Sequence, residues 1–282
     1  PEFELPVCKH ILSTLLQTPD EGKINNVPEI NNLPYSPFEY KRHETSAVKN
    51  IGGTHVPIVI SDMSKVEHLL PDDLKCLGYL YNATDDKWAI GDMAADYLFV
   101  NDVPDFALPG TLGIICYPAI WQKHKHNPSC FPIYEAAQYV NELKENRNQQ
   151  LNFIMLDCYS NVYPPHFLDV LFKLIKEDKT AVLCLSSLNQ NSMQSIRRMC
   201  MELIKREVKN PVVIISDSHH NSLDEALIHF AVDAGGLLLD GFLNGLCLGY
   251  QFGKIGLNKD EIDHQLSTLN SISFGILQAT RT

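Results

Sequence analysis

Short apolar runs recur along most of the chain, each followed by a polar or amphipathic stretch. They cover residues 56–61, 74–81, 97–100, 112–117, 151–156, 181–185, 212–216 and 236–239. Most lack polar alternation, as expected of strands covered by helices on one face and closing a core with the other. In the second half, helical spacing separates the runs. Phe167, Leu171, Leu174 and Ile175 mark one face of a helix that starts beside Pro164 and Pro165, where a first turn tolerates proline. Met193, Ile196, Cys200, Leu203 and Ile204 mark the next. Ser222 with Glu225 has the spacing of a capping box before Leu227, Ile228 and Ala231, and Gly235 ends that helix. A closing helix carries Ile262, Leu266, Leu269 and Phe274.

Eight strands alternating with helices predict an α/β fold, a (β/α)8 TIM-type barrel, with a doubly wound sheet as the other arrangement of the same pattern. The first half is less regular. Only short links fit between its strands, so some of its helices are expected to be short or missing. Ahead of the barrel, residues 1–55 read as an extended lead-in with a short helix near residues 5–16. Pro and Asn punctuate this stretch (Val27-Pro28, Asn31-Asn32-Leu33-Pro34), and no period is sustained. The barrel domain is placed at residues 56–282.

In a parallel barrel, chemistry gathers where the strands end. The predicted ends offer Asp62, Asp157, Ser186-Ser187, Asp217 to His220, and Asp240-Gly241. Among these, Asp157, Asp217, His219, His220 and Asp240 are the types that serve as acid, base or metal ligand, with Asp157, His219 and Asp240 as the catalytic trio of a free-standing barrel enzyme. The plainer reading is that such residues cap the helices that follow strands. His219 and His220 are neighbours, and on an extended strand end they point opposite ways, which argues against one shared metal. His124 and His126 lie among Lys123, Lys125, Asn127 and Pro128, a composition that reads as a solvated loop. Asp240, Gly241, Asn244 and Gly245 follow the run taken as the last strand, where barrel enzymes often hold an anion.

Charge and cysteine content narrow the field. The net charge is −11 with neutral histidines, and Lys and Arg are scattered, so nucleic acid is not an expected partner. No apolar run approaches the roughly 18 residues of a membrane span, and no basic leader opens the chain. The eight cysteines (Cys8, Cys76, Cys116, Cys130, Cys158, Cys184, Cys200, Cys247) form no Cys-x-x-Cys pair. They read as buried thiols in a reducing cytoplasm rather than metal ligands.

Three further words, taken in order, resemble a known family. They are His219-His220, the run from Ala234 to Gly241, and Ser273-Phe274-Gly275-Ile276-Leu277-Gln278-Ala279 with Arg281. Together they resemble the second half of the inserted middle domain in the large-type hydroxymethylbutenyl diphosphate synthases of plants and some bacteria. The match is clearest over residues 211–282 and extends by strand order back to about His55. The resemblance implies a three-part parent: a substrate-binding barrel, this inserted barrel, and an iron–sulfur domain that would follow residue 282. It implies reductive ring opening of 2-C-methylerythritol 2,4-cyclodiphosphate in the non-mevalonate isoprenoid pathway, with electrons arriving through a [4Fe-4S] cluster from ferredoxin or flavodoxin. By the same resemblance the cluster belongs to the iron–sulfur domain, and no cofactor, metal or catalytic residue is expected in this one. The protein would be cytoplasmic in a bacterium, or plastid-located in a plant. Where the family often has Gly-Asp-Gly after the Asp-Gly, this chain has Phe242-Leu243-Asn244-Gly245, which weakens an anion site. An inserted barrel of this kind suits a spacer between working domains. The other readings are a free-standing enzyme and a domain for contact with a second subunit, as in a homodimer, or with the electron donor.

Overall fold

The computed structural model describes residues 27–33, 35–36, 39–159, 163–164, 166–189, 191–219, 222–250 and 259–281. The helix expected near residues 5–16 lies outside them.

Eight strands close into a parallel barrel. In chain order they are β1 (Ile58–Asp62), β4 (Tyr97–Phe99), β5 (Gly113–Cys116), β6 (Cys130–Glu135), β7 (Asn152–Asp157), β8 (Ala181–Ser186), β9 (Val212–Ser218) and β10 (Gly245–Tyr250). Each pairs with its neighbours in sequence, and β10 closes on β1 with Ile58 opposite Gly245. The TIM-type prediction holds. Two strands, β2 (Tyr79–Asn82) and β3 (Lys87–Ile90), form a separate antiparallel hairpin outside the barrel.

The strand list needs three corrections. Residues 74–81 are not a barrel strand. Leu74 and Leu77, three apart, are buried on a 3-10 helix, Pro71–Leu77, that Gly78 ends at φ 89°. Residues 236–239 are a helical turn, the end of a continuous helical stretch: α5 (Leu223–Phe230), one π turn (Ala231–Gly235) and α6 (Gly236–Leu239). Gly235 and Gly236 are both right-handed helical, so neither stops the helix. The last strand is β10, six residues further on. The third correction is β6, Cys-Phe-Pro-Ile-Tyr-Glu, which reading by pattern passed over. Pro132 cannot donate to a ladder and so argues against a central strand, yet it sits opposite Cys116 inside this one.

The irregular first half is as expected. Between β1 and β4 the chain uses the 3-10 helix and hairpin, and after β5 the single turn α1 (Pro118–Trp121) with a 3-10 turn, Gln122–His124. After β6 comes α2 (Ala136–Asn141), six residues long. The second half has full helices: α3 (Phe167–Glu177), α4 (Ser192–Lys205), α5, and α7 (Lys259–Ala279). α3 buries Phe167, Leu171 and Ile175, the face its spacing predicts. Ser222 caps α5 by accepting from Glu225 N at 3.2 Å.

Inside the barrel, successive inward positions along each strand stack aromatic and branched side chains: Ile58 and Ile60, Phe131 and Ile133, Phe153, Val213. Tyr97 fits against β5 because Gly113 has no side chain; a Cβ there would lie 2.5 Å from the ring. The lead-in supplies the bottom of this core. Val48 and Ile51 exchange backbone hydrogen bonds of 2.8 and 3.0 Å around a tight turn with Lys49 at φ 52°. Both side chains are buried among Ile58, Tyr97 and Phe153, and the Tyr97 hydroxyl donates to Asn50 Oδ1 at 2.5 Å. Residues 48–51, read from the sequence as part of the lead-in, thus pack into the core of the barrel.

Candidate functional site

Side chains alternate along a strand, so the inward series that begins at the bottom with Ile58, Phe131, Phe153 and Val213 ends at the mouth with Asp62, Glu135, Asp157 and Asp217. Four strands thus bring carboxylates to one rim. Asp62 Oδ1 accepts from Ser64 N at 2.9 Å. Asp157 Oδ1 accepts from Leu188 N at 3.1 Å, which holds the β8 loop against β7. Tyr163 Oη accepts from Asp157 N at 3.4 Å, and the Tyr163 ring stacks on Phe167 at 4.6 Å. Gly249 faces Asp217 across the β9–β10 ladder, and a Cβ on it would fall 1.8 Å from Asp217 Oδ1. The glycine is the condition for that carboxylate to lean over β10.

At two rim positions the charged form is disfavoured. Desolvation by the barrel wall, reinforced by Asp157, raises the Glu135 carboxyl above the usual carboxylate range. Desolvation likewise raises Asp217, with Asp62 adding repulsion while Lys65 and His219 oppose it. Tyr117 is raised by burial, then by Glu135 and Asp62. Both causes disfavour the charged form: loss of water and proximity of like charge. Sequence reading missed Glu135 because it missed β6.

Of the predicted residues, the structure brings Asp62, Asp157, Ser186, Asp217 and His219 to this end. His219 is exposed; His220 lies outside the described residues. Asp240, Gly241, Asn244 and Gly245 are at the opposite end, because the run before them is helix and they precede β10 rather than follow a strand. The trio Asp157, His219 and Asp240 is therefore not one site.

Each of these bottom residues has a visible task. Asp240 pairs with Arg197 Nε at 2.6 Å, tying α6 to α4. Gly241 is at φ 79°, and a Cβ on it would meet Lys41 O at 2.5 Å. Its carbonyl accepts from His43 N at 2.8 Å, seating the lead-in. Asn244, 2% exposed, joins three strands: its N donates to Val212 O at 2.7 Å, its Oδ1 accepts from Val212 N at 3.0 Å, and its O accepts from Ile58 N at 3.0 Å. Gly245 admits Ile58, whose Cγ1 would be 2.5 Å from a Cβ there. Together the four close the barrel bottom.

His124 ends a 3-10 turn, Gln122–His124, with the His126 ring 6.2 Å away. Among the described residues, no group of three or more His, Cys, Asp or Glu side chains is arranged to hold a metal ion, and no helix is long and apolar enough to cross a membrane. The described cysteines are free thiols, all but Cys76 buried. Burial pushes Cys184 and Cys200 up to about 12.

Fold and mouth define a class: an eight-stranded parallel TIM-type barrel, plugged below by its own lead-in and acidic above. Along its whole length the chain is similar to enzymes named 4-hydroxy-3-methylbut-2-en-1-yl diphosphate synthase (flavodoxin), as the resemblance near its C-terminal end implied. The relative from Parabacteroides distasonis is 29% identical over 283 residues, that from Bacteroides thetaiotaomicron 25% over 286, and that from Bacteroides fragilis 24% over 289. Each alignment takes in 100% of this chain and 38–39% of the relative, so the chain spans about two fifths of the length of the synthases it matches. No family model matches it. Among solved structures, an uncharacterized Clostridium thermocellum protein that binds two copies of 5-methyl-5,6,7,8-tetrahydrofolic acid aligns with 78% of this chain and 96% of its own. That alignment has a TM-score of 0.44 and 8% identity.

Proposed function

We propose that this barrel is a non-catalytic spacer within a large-type hydroxymethylbutenyl diphosphate synthase. In this reading it holds a substrate-binding barrel and an iron–sulfur domain at the separation the reaction needs. The observation that carries the reading is the alignment of the entire chain with only about two fifths of each synthase. The parent would reductively open 2-C-methylerythritol 2,4-cyclodiphosphate, taking electrons from flavodoxin through a [4Fe-4S] cluster bound outside this chain. The separation of Asp157 and His219 from Asp240 supports the spacer over a free-standing acid–base enzyme.

The test is an in-frame deletion of this segment from a full-length synthase of the matched type. Cyclodiphosphate turnover should fall by at least about tenfold, equivalent to about 1.4 kcal/mol at the transition state, while the cluster's absorption spectrum is retained. Full activity in the deletion would sink the spacer. Turnover of the cyclodiphosphate by the 282-residue chain alone would overturn the non-catalytic reading.

A further inference from the structure

Where the closing helix meets the barrel bottom, a groove of about 460 Å³ opens to solvent. Phe274 and Leu277 line it from the end of α7, and Tyr40 and Val56 line it from the lead-in. Phe274 and Leu277 lean on the core, but Val56 is 69% exposed and Tyr40 51%, and neither belongs to an apolar core cluster. Closing the barrel therefore does not account for these two side chains. Apolar groups gathered in a hollow with polar residues at its rim mark a contact surface.

Charge and topology narrow the occupant. The polar lining holds two cations, Arg42 and Arg281, and one carboxylate, Asp92, in a chain whose net charge is −11. Such a patch attracts an acidic partner surface rather than a basic one. β10 ends at the mouth and α7 runs back down, so the helix finishes in the groove, with Gln278, Thr280 and Arg281 in its lining. The first described residues of the lead-in lie elsewhere, against α4, where Pro28 O accepts from Arg198 Nε at 2.8 Å. Each synthase that the chain matches has about three fifths of its length outside the alignment. A domain joined to α7 starts beside the groove, and tethering by a short flexible linker holds it at an effective concentration of about a millimolar. A partner arriving from solution has no such advantage.

We propose that this groove seats another domain of the same polypeptide. The inference rests on the reading of the barrel as one domain of a larger synthase. An apolar side chain of that domain fills the hollow between Val56 and Leu277, and an acidic residue meets Arg281 at the rim. Domains joined only by a linker move relative to one another by default, so this contact fixes the separation that a spacer must hold.

The test is photo-cross-linking in the full-length synthase, with a benzophenone side chain placed at position 56. Illumination should join position 56 to a residue of the same polypeptide outside the part that matches this chain, located by peptide mass. Cross-links between two copies, cross-links confined to the barrel or to residues 1–26, or none at all would overturn the proposal. A second variant checks the chemistry of the contact. With the benzophenone at position 40, Val56→Glu should cut the cross-link yield severalfold, and an unchanged yield overturns the proposal. The readout does not use turnover, so the two readings fail separately. A bare groove leaves the deletion test of the spacer standing, and full activity in the deletion sinks the spacer whatever position 56 joins.

Discussion

The two ends of the barrel are built from the same strands and solve opposite problems. At the bottom, polar contacts tie the chain together and apolar side chains fill the hole. Val48 and Ile51 plug it, Asn244 links β9 to β1, and Arg147 lies 3.9 Å from the Tyr139 ring. Arg147 Nη2 also donates to Tyr139 O and Glu142 O, and its Nη1 sits 3.5 Å from Asp178 Oδ2. At the mouth, Asp62, Glu135, Asp157 and Asp217 face inward from four strands, and two of them are held above their ordinary pKa. The difference teaches which end is constrained by folding alone. Glycines and amides at the bottom are needed for closure, while the mouth tolerates charge repulsion that closure does not require.

That contrast can be broken most forcefully from below. Ile51→Ala should cost about 2–5 kcal/mol of unfolding free energy, as truncation of a fully buried side chain does, read from urea titration of the 282-residue chain. A change below about 1 kcal/mol would show that the lead-in is not part of the core. Asn244→Ala comes next, at about 1–3 kcal/mol, because it leaves the buried Val212 N–H without its side-chain acceptor.

The mouth should respond with the opposite sign. Glu135 and Asp217 have raised carboxyl pKa values in the folded state. The native state therefore binds their protons more tightly than the unfolded chain does. Their contribution is fully present below the unfolded value, about pH 4, and is lost as pH rises through the folded values. Glu135→Gln and Asp217→Asn should thus raise the melting temperature at pH 7 and leave it nearly unchanged below about pH 4. A fall at pH 7 would mean that the rim is held by attraction rather than repulsion. The smallest effect is expected at Asp240→Asn, which weakens a partly exposed ion pair with Arg197 and should cost about 1 kcal/mol or less. A loss several times larger would assign Asp240 more than a bracing role at the bottom.

Much of this was legible in the residues. Continuous apolar runs without alternation specify strands covered on both faces, and six of those runs became barrel strands. Periodic faces on α3 and α4, and the Ser222 cap on α5, were equally readable. The failures have local causes. Gly-Gly-Leu-Leu-Leu is a run whose length fits either a strand or a buried helical turn, and only the helix leading into it decides the matter. The strand with Pro132 was hidden by a residue that ordinarily excludes central strands, and Glu135 was hidden with it. Misplacing the last strand by six residues carried Asp240, Gly241, Asn244 and Gly245 to the wrong end, which is why a plausible anion loop turned out to be a seal. The plug could not be foreseen, because nothing local distinguishes Val48 and Ile51 from apolar residues of a solvent-exposed lead-in.

The seal also bears on how the chain reaches its native state. Its contacts join segments 163 to 198 positions apart: His43 N meets Gly241 O, Ser46 N meets Lys209 O, and Ile58 N meets Asn244 O. Closing such loops comes at an entropic cost before any contact rewards it, and topologies rich in distant pairings fold slowly. During synthesis the first strand must wait without its β10 partner until residue 245 has left the ribosome, with Ile58 and Ile60 uncovered along that edge. The bottom of the barrel is therefore completed late, and until then it leaves apolar chain exposed to chaperones.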